Sequence, residues 1–291
     1  MKEISLRAYA KINLALDVVK KREDGYHDVK MIMQNIGLYD DLVFIADTGY
    51  AGRKITINCD KDGVPTDNRN LIYKAVNLMF DEYNLSGSIE IDLKKNIPVE
   101  AGLAGGSTDC AATLKAVNQL YNLGADTAKL MALGGRLGAD VPYCVLEKTS
   151  LAEGIGDILT PVQGLADCYI LLAKPPEGVS TKLVYTNLKV NEIVNHPEVD
   201  KMIQALFDNS LEAVAGYMGN VLENVTLRLN GKIQVIKDIM KENGALNAIM
   251  SGSGPTVFGI FRNKETASRA GEIIRKMGLS GEVFVTAPVN L

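Results

Sequence analysis

The most regular alternation of apolar and polar residues lies near the start of the chain. From Ile4 to Val18 every even-numbered position is apolar, and this period of two predicts a half-buried β-strand. The odd positions of such a strand share its other face. We therefore expect Tyr9, Lys11 and Asn13 to lie side by side, pointing away from the core.

The rest of the chain is predicted to mix strands and helices. An Asp24-Gly25 pair is typical of a hairpin turn, and returning strands are expected over 26–46. Further strands are predicted at 53–59, 88–93, 151–162, 168–173, on both sides of a glycine turn within 248–261, and at 282–287. Residues 139–142 are expected to lead into a strand as well. Helices are predicted from an Asn68 or Asn70 cap to 83, from the glycine-rich segment to 121, from Asp126 to 138, and at 181–187, 198–217, 231–243 and 264–276. This pattern favours an α+β architecture in two halves.

Composition narrows the possible functions. A length of 291 residues, 47% of them hydrophobic, suffices for about two domains. The net charge of −4 does not support non-specific binding to nucleic acid. Four widely spaced cysteines form no CxxC pair, and two histidines leave little for a catalytic triad or a histidine-rich metal site. The N-terminal residues contain neither a signal-peptide core nor an 18-residue apolar span, so a soluble, cytoplasmic protein is expected.

The clearest chemical signal is a glycine-rich segment from Asn96 to Asp109. The chain has 27 glycines, about seven more than the roughly twenty expected for its length. Gly102, Gly105 and Gly106 precede the start of a predicted helix, where backbone N–H groups can converge on a phosphate. The segment is neither a Walker A loop nor a GxGxxG fingerprint, and a capped helix with a flexible entry is the alternative. Asp109 would repel a phosphate unless its side chain points elsewhere or faces a cation.

Other residues are weaker candidates when taken alone. Lys11 could be a solvated lysine. The presence of Tyr9 and Asn13 on the same face of the strand favours a functional role instead. Asp140 could be a turn residue, or a carboxylate that acts on a hydroxyl nucleophile. Ser251–Pro255 forms a second glycine turn, and Tyr26 with His27 offers a stacking ring beside a hydrogen-bonding group.

The motifs together resemble a known family. They are AYAKINL at 8–14, DGYH at 24–27, PVEAGLAGGST at 98–108, GADVP at 138–142 and SGSGPT at 251–256. In this order they resemble the galactokinase, homoserine kinase, mevalonate kinase and phosphomevalonate kinase (GHMP) superfamily, and within it the kinases that phosphorylate the 2-hydroxyl of a cytidylylated methylerythritol. The likeness spans nearly the whole chain.

The resemblance implies roles for individual residues. Lys11 and Asp140 would be the catalytic pair, with Asp140 either a base or an orienter of the hydroxyl. ATP and Mg²⁺ are the implied cofactors, and Ser107 is the candidate metal ligand. The implied ATP-binding residues are Pro98, Val99, Glu100, Ala101, Gly102, Leu103, Ala104, Gly105, Gly106, Ser107 and Thr108, with Asn70 and Lys95. The implied substrate-binding residues are Asn13, Tyr26, His27, Thr181, Tyr185, Gly252, Ser253 and Gly254.

The resemblance also implies a two-lobe α+β fold. Residues 1–160 would form a ribosomal-protein-S5-like domain that binds ATP, and residues 161–291 a ferredoxin-like domain that binds the substrate, with the active site between them. The partner would be the small-molecule substrate, with no nucleic acid and no membrane; the sequence leaves the oligomeric state open. Alternatives are another kinase of the superfamily, a non-catalytic RNA-binding protein, and a degenerate kinase that binds without transfer. Ala104 stands where many relatives have glycine, and Asp109 where some have asparagine.

Overall fold

The computed structural model describes all 291 residues and contains both helices and strands. The strands are β1 (Lys2–Lys21), β2 (His27–Asp47), β3 (Arg53–Cys59), β4 (Gly87–Lys94), β5 (Ser150–Glu153), β6 (Ile158–Pro161), β7 (Tyr169–Lys174), β8 (Gly219–Asn220), β9 (Asn247–Met250), β10 (Val257–Phe261) and β11 (Glu282–Thr286). The helices are α1 (Leu71–Glu82), α2 (Gly105–Leu120), α3 (Thr127–Gly135), α4 (Val141–Leu146), α5 (Thr181–Asn187), α6 (Val199–Phe207), α7 (Leu211–Tyr217), α8 (Glu223–Leu229), α9 (Lys232–Glu242) and α10 (Lys264–Lys276), with a 3₁₀ helix at Val190–Glu192. None of the helices is long and apolar enough to cross a membrane.

The chain forms two compact units that interleave along the sequence. The first unit comprises Met1–Ala10, Leu38–Val99 and Ala104–Glu147, and the second comprises Lys11–Gly37, Glu100–Leu103 and Lys148–Leu291. Strands β1 and β2 are long enough to contribute to both. The functional division at residue 160, with ATP bound before it and the substrate after it, stays a prediction.

The first unit packs helices against a sheet. Strand β4 pairs antiparallel with the second half of β2 and parallel with β3, while α1 and α4 pack on α2. Alternating residues of these strands, such as Phe44 and Ile91, are fully buried. Asn70 caps α1, because its Oδ1 accepts the N–H of Ile72 at 2.9 Å. The predicted strands at 53–59 and 88–93 and the predicted cap are confirmed.

The second unit contains a four-stranded antiparallel sheet in the order β11-β7-β10-β9, on which α9 and α10 pack. In the same unit β8 pairs with β1 and β5 pairs with β2. The buried Gln34 ties the C-terminal residues to β2, because its Nε2 donates to the carbonyl of Val289 at 3.1 Å and to Asn290 Oδ1 at 3.2 Å. The predicted strands within 168–173, 248–261 and 282–287 are confirmed.

Three predictions of local structure are wrong. Residues 141–146 form helix α4 where a strand was expected, because Pro142 lies in the first turn, where a missing N–H costs no hydrogen bond. The single helix predicted at 198–217 is two helices, since Asn209 adopts φ +52° and Ser210 caps α7. The single strand predicted at 151–162 is the antiparallel pair β5 and β6, joined by a turn at 154–157. Helix α8, which is short and buries only Val225 and Thr226, was not predicted.

Candidate active site

The glycine-rich segment ends at the N-terminus of α2, as predicted. Ala104 is the N-cap, and its side chain makes no capping hydrogen bond. The first amides of a helix have no partner within the helix, so those of Gly105, Gly106 and Ser107 depend on groups outside it. Gly106 is exposed, and a Cβ atom there would meet only Leu71, at 3.8 Å. This helix start can therefore approach an anion through its backbone.

The backbone of the segment alternates between left-handed and ordinary conformations. Glu100, Gly102 and Ala104 have φ angles of +52°, +74° and +60°. Ala104 therefore adopts the left-handed region that favours glycine. A glycine would suit this position without any change of backbone.

A buried cluster of three charges, which we call the Lys95 cluster, ties together the two sides of this segment. It comprises Asp40 on β2, Lys95 and Asp109. Asp40 accepts the amide N–H groups of Asn96 at 2.6 Å and Ile97 at 2.8 Å, and its other oxygen is bonded to Lys95 Nζ. Lys95 Nζ also donates to Asp109 Oδ2 at 2.7 Å. The prediction that Asp109 points elsewhere or faces a cation is confirmed, and its cation is Lys95.

Gly105 is a glycine because the Lys95 side chain passes over it. A Cβ atom at Gly105 would lie 3.0 Å from Lys95 Nζ and 3.0 Å from Ile97 Cγ2. This close packing alone accounts for a glycine at the position, and the contact of its backbone with phosphate stays a prediction. The Lys95 side chain is only 5% exposed, so its ammonium serves the two carboxylates.

Burial and neighbouring charges shift the pKa values of two members of the Lys95 cluster, Asp109 and Lys95. Burial raises the pKa of Asp109 to about 8, the carboxylate of Asp40 adds to the rise, and Lys95 opposes it. Burial lowers the pKa of Lys95, but Asp109 and Asp40 outweigh burial and raise it overall. Asp109 Oδ1 is buried without a hydrogen-bond partner, so nothing compensates the burial of negative charge at that oxygen, which disfavours the ionised carboxylate.

Lys11 and Asn13 lie in the second unit and are buried, which corrects the expectation that they point away from the core. Lys11 is 4% exposed and Asn13 is fully buried. Lys11 Nζ donates to Asn13 Oδ1 at 2.8 Å, and the Lys11 backbone N–H donates to the carbonyl of Leu103 at 3.1 Å. The period of two could not reveal this burial, because segments far along the chain cover the second face of β1.

The two glycine turns of the sequence are in direct contact. Ser251 Oγ donates to the carbonyl of Gly102 at 3.0 Å. A Cβ atom at Gly102 would lie 2.3 Å from the carbonyl oxygen of Ser251, and one at Gly252 would lie 3.1 Å from the carbonyl oxygen of Gly102. These two glycines therefore serve backbone-to-backbone packing, which the sequence alone could not distinguish from an approach to a ligand.

A polar and aromatic group forms around His27. Its ring centroid is 5.3 Å from that of Tyr185, with the planes tilted by 42°. The residue is 7% exposed, and Nε2 is buried without a hydrogen-bond partner. Burial, and then the charge of Lys21, lower the pKa of His27, so its ring is neutral at pH 7. Tyr26, 60% exposed, follows the confirmed Asp24-Gly25 turn. The hydroxyl oxygens of Thr181 and Ser253, both predicted substrate-binding residues, lie 2.7 Å apart.

Two predicted ligand residues occupy N-cap positions of helices, and of the two only Asn70 makes a capping hydrogen bond with its side chain. Asn70 uses both polar atoms of its side chain on the backbone, since Nδ2 also donates to the carbonyl of Pro65 at 2.6 Å. Asp140 is the half-buried N-cap of α4 in the first unit. Thr108 Oγ1 donates to the carbonyl of Tyr9 at 2.9 Å and anchors α2 to β1. The nucleotide and substrate roles of these residues remain predictions.

Asp40 and Asn220 are the polar residues that sequence reasoning missed. Asp40 occupies an inward position of β2, between the buried Leu38 and Leu42. A carboxylate at an inward position of a period-two strand requires a buried partner, and this signal could have found it. Asn220 lies on a two-residue strand that no local pattern marks.

The described residues contain no group of three or more His, Cys, Asp or Glu side chains that could hold a metal ion. Magnesium in kinases is commonly bound by one or two protein groups together with the phosphates of the substrate. Ser107, half-buried in the first turn of α2, fits such a partial ligand set.

Comparison with known proteins shows the family. Residues 70–148 match the model of the GHMP kinases N terminal domain, and residues 194–279 match that of the GHMP kinases C terminal domain. The chain is 48% identical over 286 residues to the 4-diphosphocytidyl-2-C-methyl-D-erythritol kinase of Lachnospira eligens, covering 98% of each chain. It is 47% identical to the enzyme of the same name from Acetivibrio thermocellus, covering 99% of this chain and 100% of the relative.

Solved structures show the same fold. A crystal structure of 4-(cytidine 5'-diphospho)-2C-methyl-D-erythritol kinase superposes with a TM-score of 0.81 at 29% identity, covering 99% of this chain and 100% of the other. Homoserine kinase from Cytophaga hutchinsonii superposes with a TM-score of 0.80 at 20% identity, covering 100% and 96%. The second likeness shows the fold alone, and the predicted α+β fold class is confirmed. The chain belongs to the GHMP kinases and, within them, to the family of the 4-diphosphocytidyl-2-C-methyl-D-erythritol kinases.

Proposed function

We propose that this chain transfers the γ-phosphate of ATP to the 2-hydroxyl of 4-diphosphocytidyl-2-C-methyl-D-erythritol, a step of non-mevalonate isoprenoid biosynthesis. Near-full-length identity of 47–48% to curated kinases of that name supports the reaction. The homoserine kinase fold is equally close in TM-score, so the fold does not choose the acceptor. The identity of the acceptor is therefore argued from the side chains that would contact it.

The observation that carries the acceptor assignment is the unpartnered Nε2 of His27 beside the ring of Tyr185. A buried polar atom without a partner costs free energy unless a ligand supplies one. A pyrimidine offers what this place lacks, namely a flat ring that can pack on an aromatic side chain and an edge with hydrogen-bonding groups. Homoserine and mevalonate contain no ring. Because the His27 ring is neutral at pH 7, it would recognise the base through a hydrogen bond and not through charge.

Lys11 and Asp140 are proposed to act on the acceptor hydroxyl. Asn13 Oδ1 fixes the Lys11 ammonium at 2.8 Å, so the lysine holds its direction without spending entropy when a ligand binds. In phosphoryl transfer the protein mainly positions groups and stabilises charge. The ammonium would stabilise negative charge that develops during transfer, and the Asp140 carboxylate would accept or orient the proton of the hydroxyl.

ATP and Mg²⁺ are proposed to be held at the start of α2. Kinases of this family use ATP as the phosphate donor, and bound Mg²⁺ neutralises charge on the phosphates. The uncapped amides at Gly105, Gly106 and Ser107 suit phosphate oxygens, and Ser107 is the proposed ligand to the metal. A protein of net charge −4 can thus bind a polyanion through local backbone donors.

The test compares the cytidylylated acceptor with its uridylylated analogue, which changes only the edge of the base. Initial rates with ATP and Mg²⁺ are measured for wild type, His27→Ala and the control His196→Ala. His196 is the other histidine of the chain; it is half exposed and bonded to Asp17 at 2.7 Å. We expect wild type and His196→Ala to prefer the cytidylyl acceptor at least about 100-fold in kcat/KM, and His27→Ala to lose most of that preference.

Each contrary result has a distinct meaning. A wild-type protein that phosphorylates neither acceptor overturns the proposed activity. A wild-type protein that turns over both at equal rates, or a His27→Ala variant that keeps the full preference, overturns the assignment of base recognition to His27.

A further inference from the structure

The side chain of Asn220 holds the Ser251–Gly254 turn by direct hydrogen bonds. Its Nδ2 donates to the carbonyl of Met250 at 2.8 Å and to the carbonyl of Gly252 at 2.8 Å. Its Oδ1 accepts the N–H of Leu222 at 3.0 Å. Asn220 is 7% exposed, so water competes little for these bonds. All but one hydrogen-bonding position of the amide is in use, and two of the three bonds fix one side of the turn.

Asn220 also joins this turn to strand β1. Asn220 pairs with Leu16 in parallel register, and the N–H of Val221 donates to the carbonyl of Leu16 at 3.0 Å. On the other side of the turn, a Cβ atom at Gly252 would lie 3.6 Å from Asn13 Oδ1, the atom that receives the Lys11 ammonium. A single amide therefore links the turn to the strand that carries Lys11 and Asn13.

Two further side chains contact the backbone at the same turn. Glu223 Oε1 accepts the N–H of Met250 at 2.7 Å, and Thr226 Oγ1 lies 3.4 Å from the carbonyl of Ser253. Among the backbone N–H groups of the turn, that of Ser251 donates to the carbonyl of Thr256 at 2.9 Å and that of Gly254 donates to the carbonyl of Ser251 at 2.9 Å, which leaves those of Gly252 and Ser253. The protein therefore fixes the turn through the carbonyls of Gly252 and Ser253. The remaining polar groups of the turn stay available for a ligand.

We propose that Asn220 is a positioning residue for the acceptor substrate, acting through the Ser251–Gly254 turn and without touching the substrate itself. This inference rests on the proposed function, which assigns Gly252, Ser253 and Gly254 to acceptor binding. Losing the amide donor releases the carbonyls of Met250 and Gly252 and lets the turn move relative to Asn13. Acceptor binding then weakens, while nucleotide binding at the start of α2 does not depend on this amide.

The test is Asn220→Asp, which preserves shape and the acceptor for Leu222 N–H but replaces the donor by an oxygen that faces two carbonyls. The matched control is Asn230→Asp. Asn230 is 8% exposed, its Oδ1 accepts the N–H of Lys232 at 3.1 Å, and its Nδ2 has no partner. The same atom change there removes no donated hydrogen bond. KM for the cytidylylated acceptor and KM for ATP are measured for both variants with the full chain.

We expect Asn220→Asp to raise KM for the acceptor at least tenfold and KM for ATP less than twofold, and Asn230→Asp to change neither by more than twofold. If Asn220→Asp does not yield folded protein by circular dichroism, Asn220→Ser, whose shorter side chain carries a single donor and cannot hold both carbonyls, must show the same selective rise. A folded variant with wild-type KM for the acceptor, or with equal rises in both constants, overturns the inference. Absence of turnover in the wild type would instead overturn the proposed function.

Discussion

Replacing Asp109 by Asn is expected to remove a pH-dependent loss of stability between pH 5 and pH 7. The carboxyl group titrates near 3.8 when exposed and at about 8 in the folded protein, where burial and then Asp40 raise the pKa against the pull of Lys95. Between these values the folded state holds a proton that the unfolded state has released. The free energy of unfolding therefore falls as the pH rises from about 4 to about 8, by about 1.4 kcal/mol per pH unit for one such group.

The measurement is urea unfolding of wild type and Asp109→Asn at pH 5, 6 and 7, with no divalent metal added. Groups common to both proteins cancel in the difference, so stability of the variant relative to wild type should rise by about 3 kcal/mol across this range. The absolute difference at one pH is less informative, because the new amide also buries an N–H₂ where Oδ1 has no partner.

The control is Asp67→Asn. Hydrogen bonds from Arg69 lower the pKa of Asp67 to about 2, so its titration lies below the range tested and the difference from wild type should stay flat. A flat difference for Asp109→Asn as well would refute the reasoning. It would mean that Asp109 is ionised in the folded protein and that the Lys95 cluster carries a net negative charge.

Two further predictions concern packing. Gly105→Ala should lower the free energy of unfolding by about 1–2 kcal/mol, because the new Cβ meets Ile97 and the doubly paired Lys95 at 3.0 Å. The control Gly106→Ala meets only Leu71, at 3.8 Å, and should not lower the free energy of unfolding. Equal effects of the two variants in thermal unfolding would contradict this explanation. Gln34→Ala should cost about 3 kcal/mol, because Gln34 also accepts from Thr149 Oγ1 and the N–H of Leu165, each at 2.9 Å. The exposed Gln204→Ala, which loses one surface hydrogen bond to Asp208, should stay within about 0.5 kcal/mol in urea unfolding. A Gln34→Ala loss as small as that of the control would mean that the C-terminal residues do not depend on this amide.

Features set by neighbours in the sequence could be predicted. The period of two near the N-terminus gave strand β1, and side chains that cap their own helices marked the starts of α1 at Asn70 and α3 at Asp126. The Asp24-Gly25 turn follows from the same local chemistry, with Tyr26 N–H donating to Asp24 Oδ1 at 3.0 Å. These signals need no knowledge of the tertiary structure.

Features set by distant segments could not be predicted. Lys11 is 4% exposed and its backbone N–H bonds to Leu103, 92 positions along the chain, and Gly102 is a glycine because Ser251 approaches it. The need of Asp109 for a cation was visible in the sequence, but the choice of Lys95 over its neighbour Lys94 was not. Only the folded register of β4 and α2 brings the correct ammonium to it.

The central claim is that this kinase acts on the cytidylylated acceptor. Its most direct test is phosphate transfer from radiolabelled ATP to 4-diphosphocytidyl-2-C-methyl-D-erythritol, homoserine and mevalonate, with Asp140→Asn as the catalytic control. We expect transfer to the first acceptor with kcat/KM at least about 1,000-fold above the other two, and a loss of at least about 100-fold in kcat with Asp140→Asn. Preferential phosphorylation of homoserine or mevalonate would contradict the account.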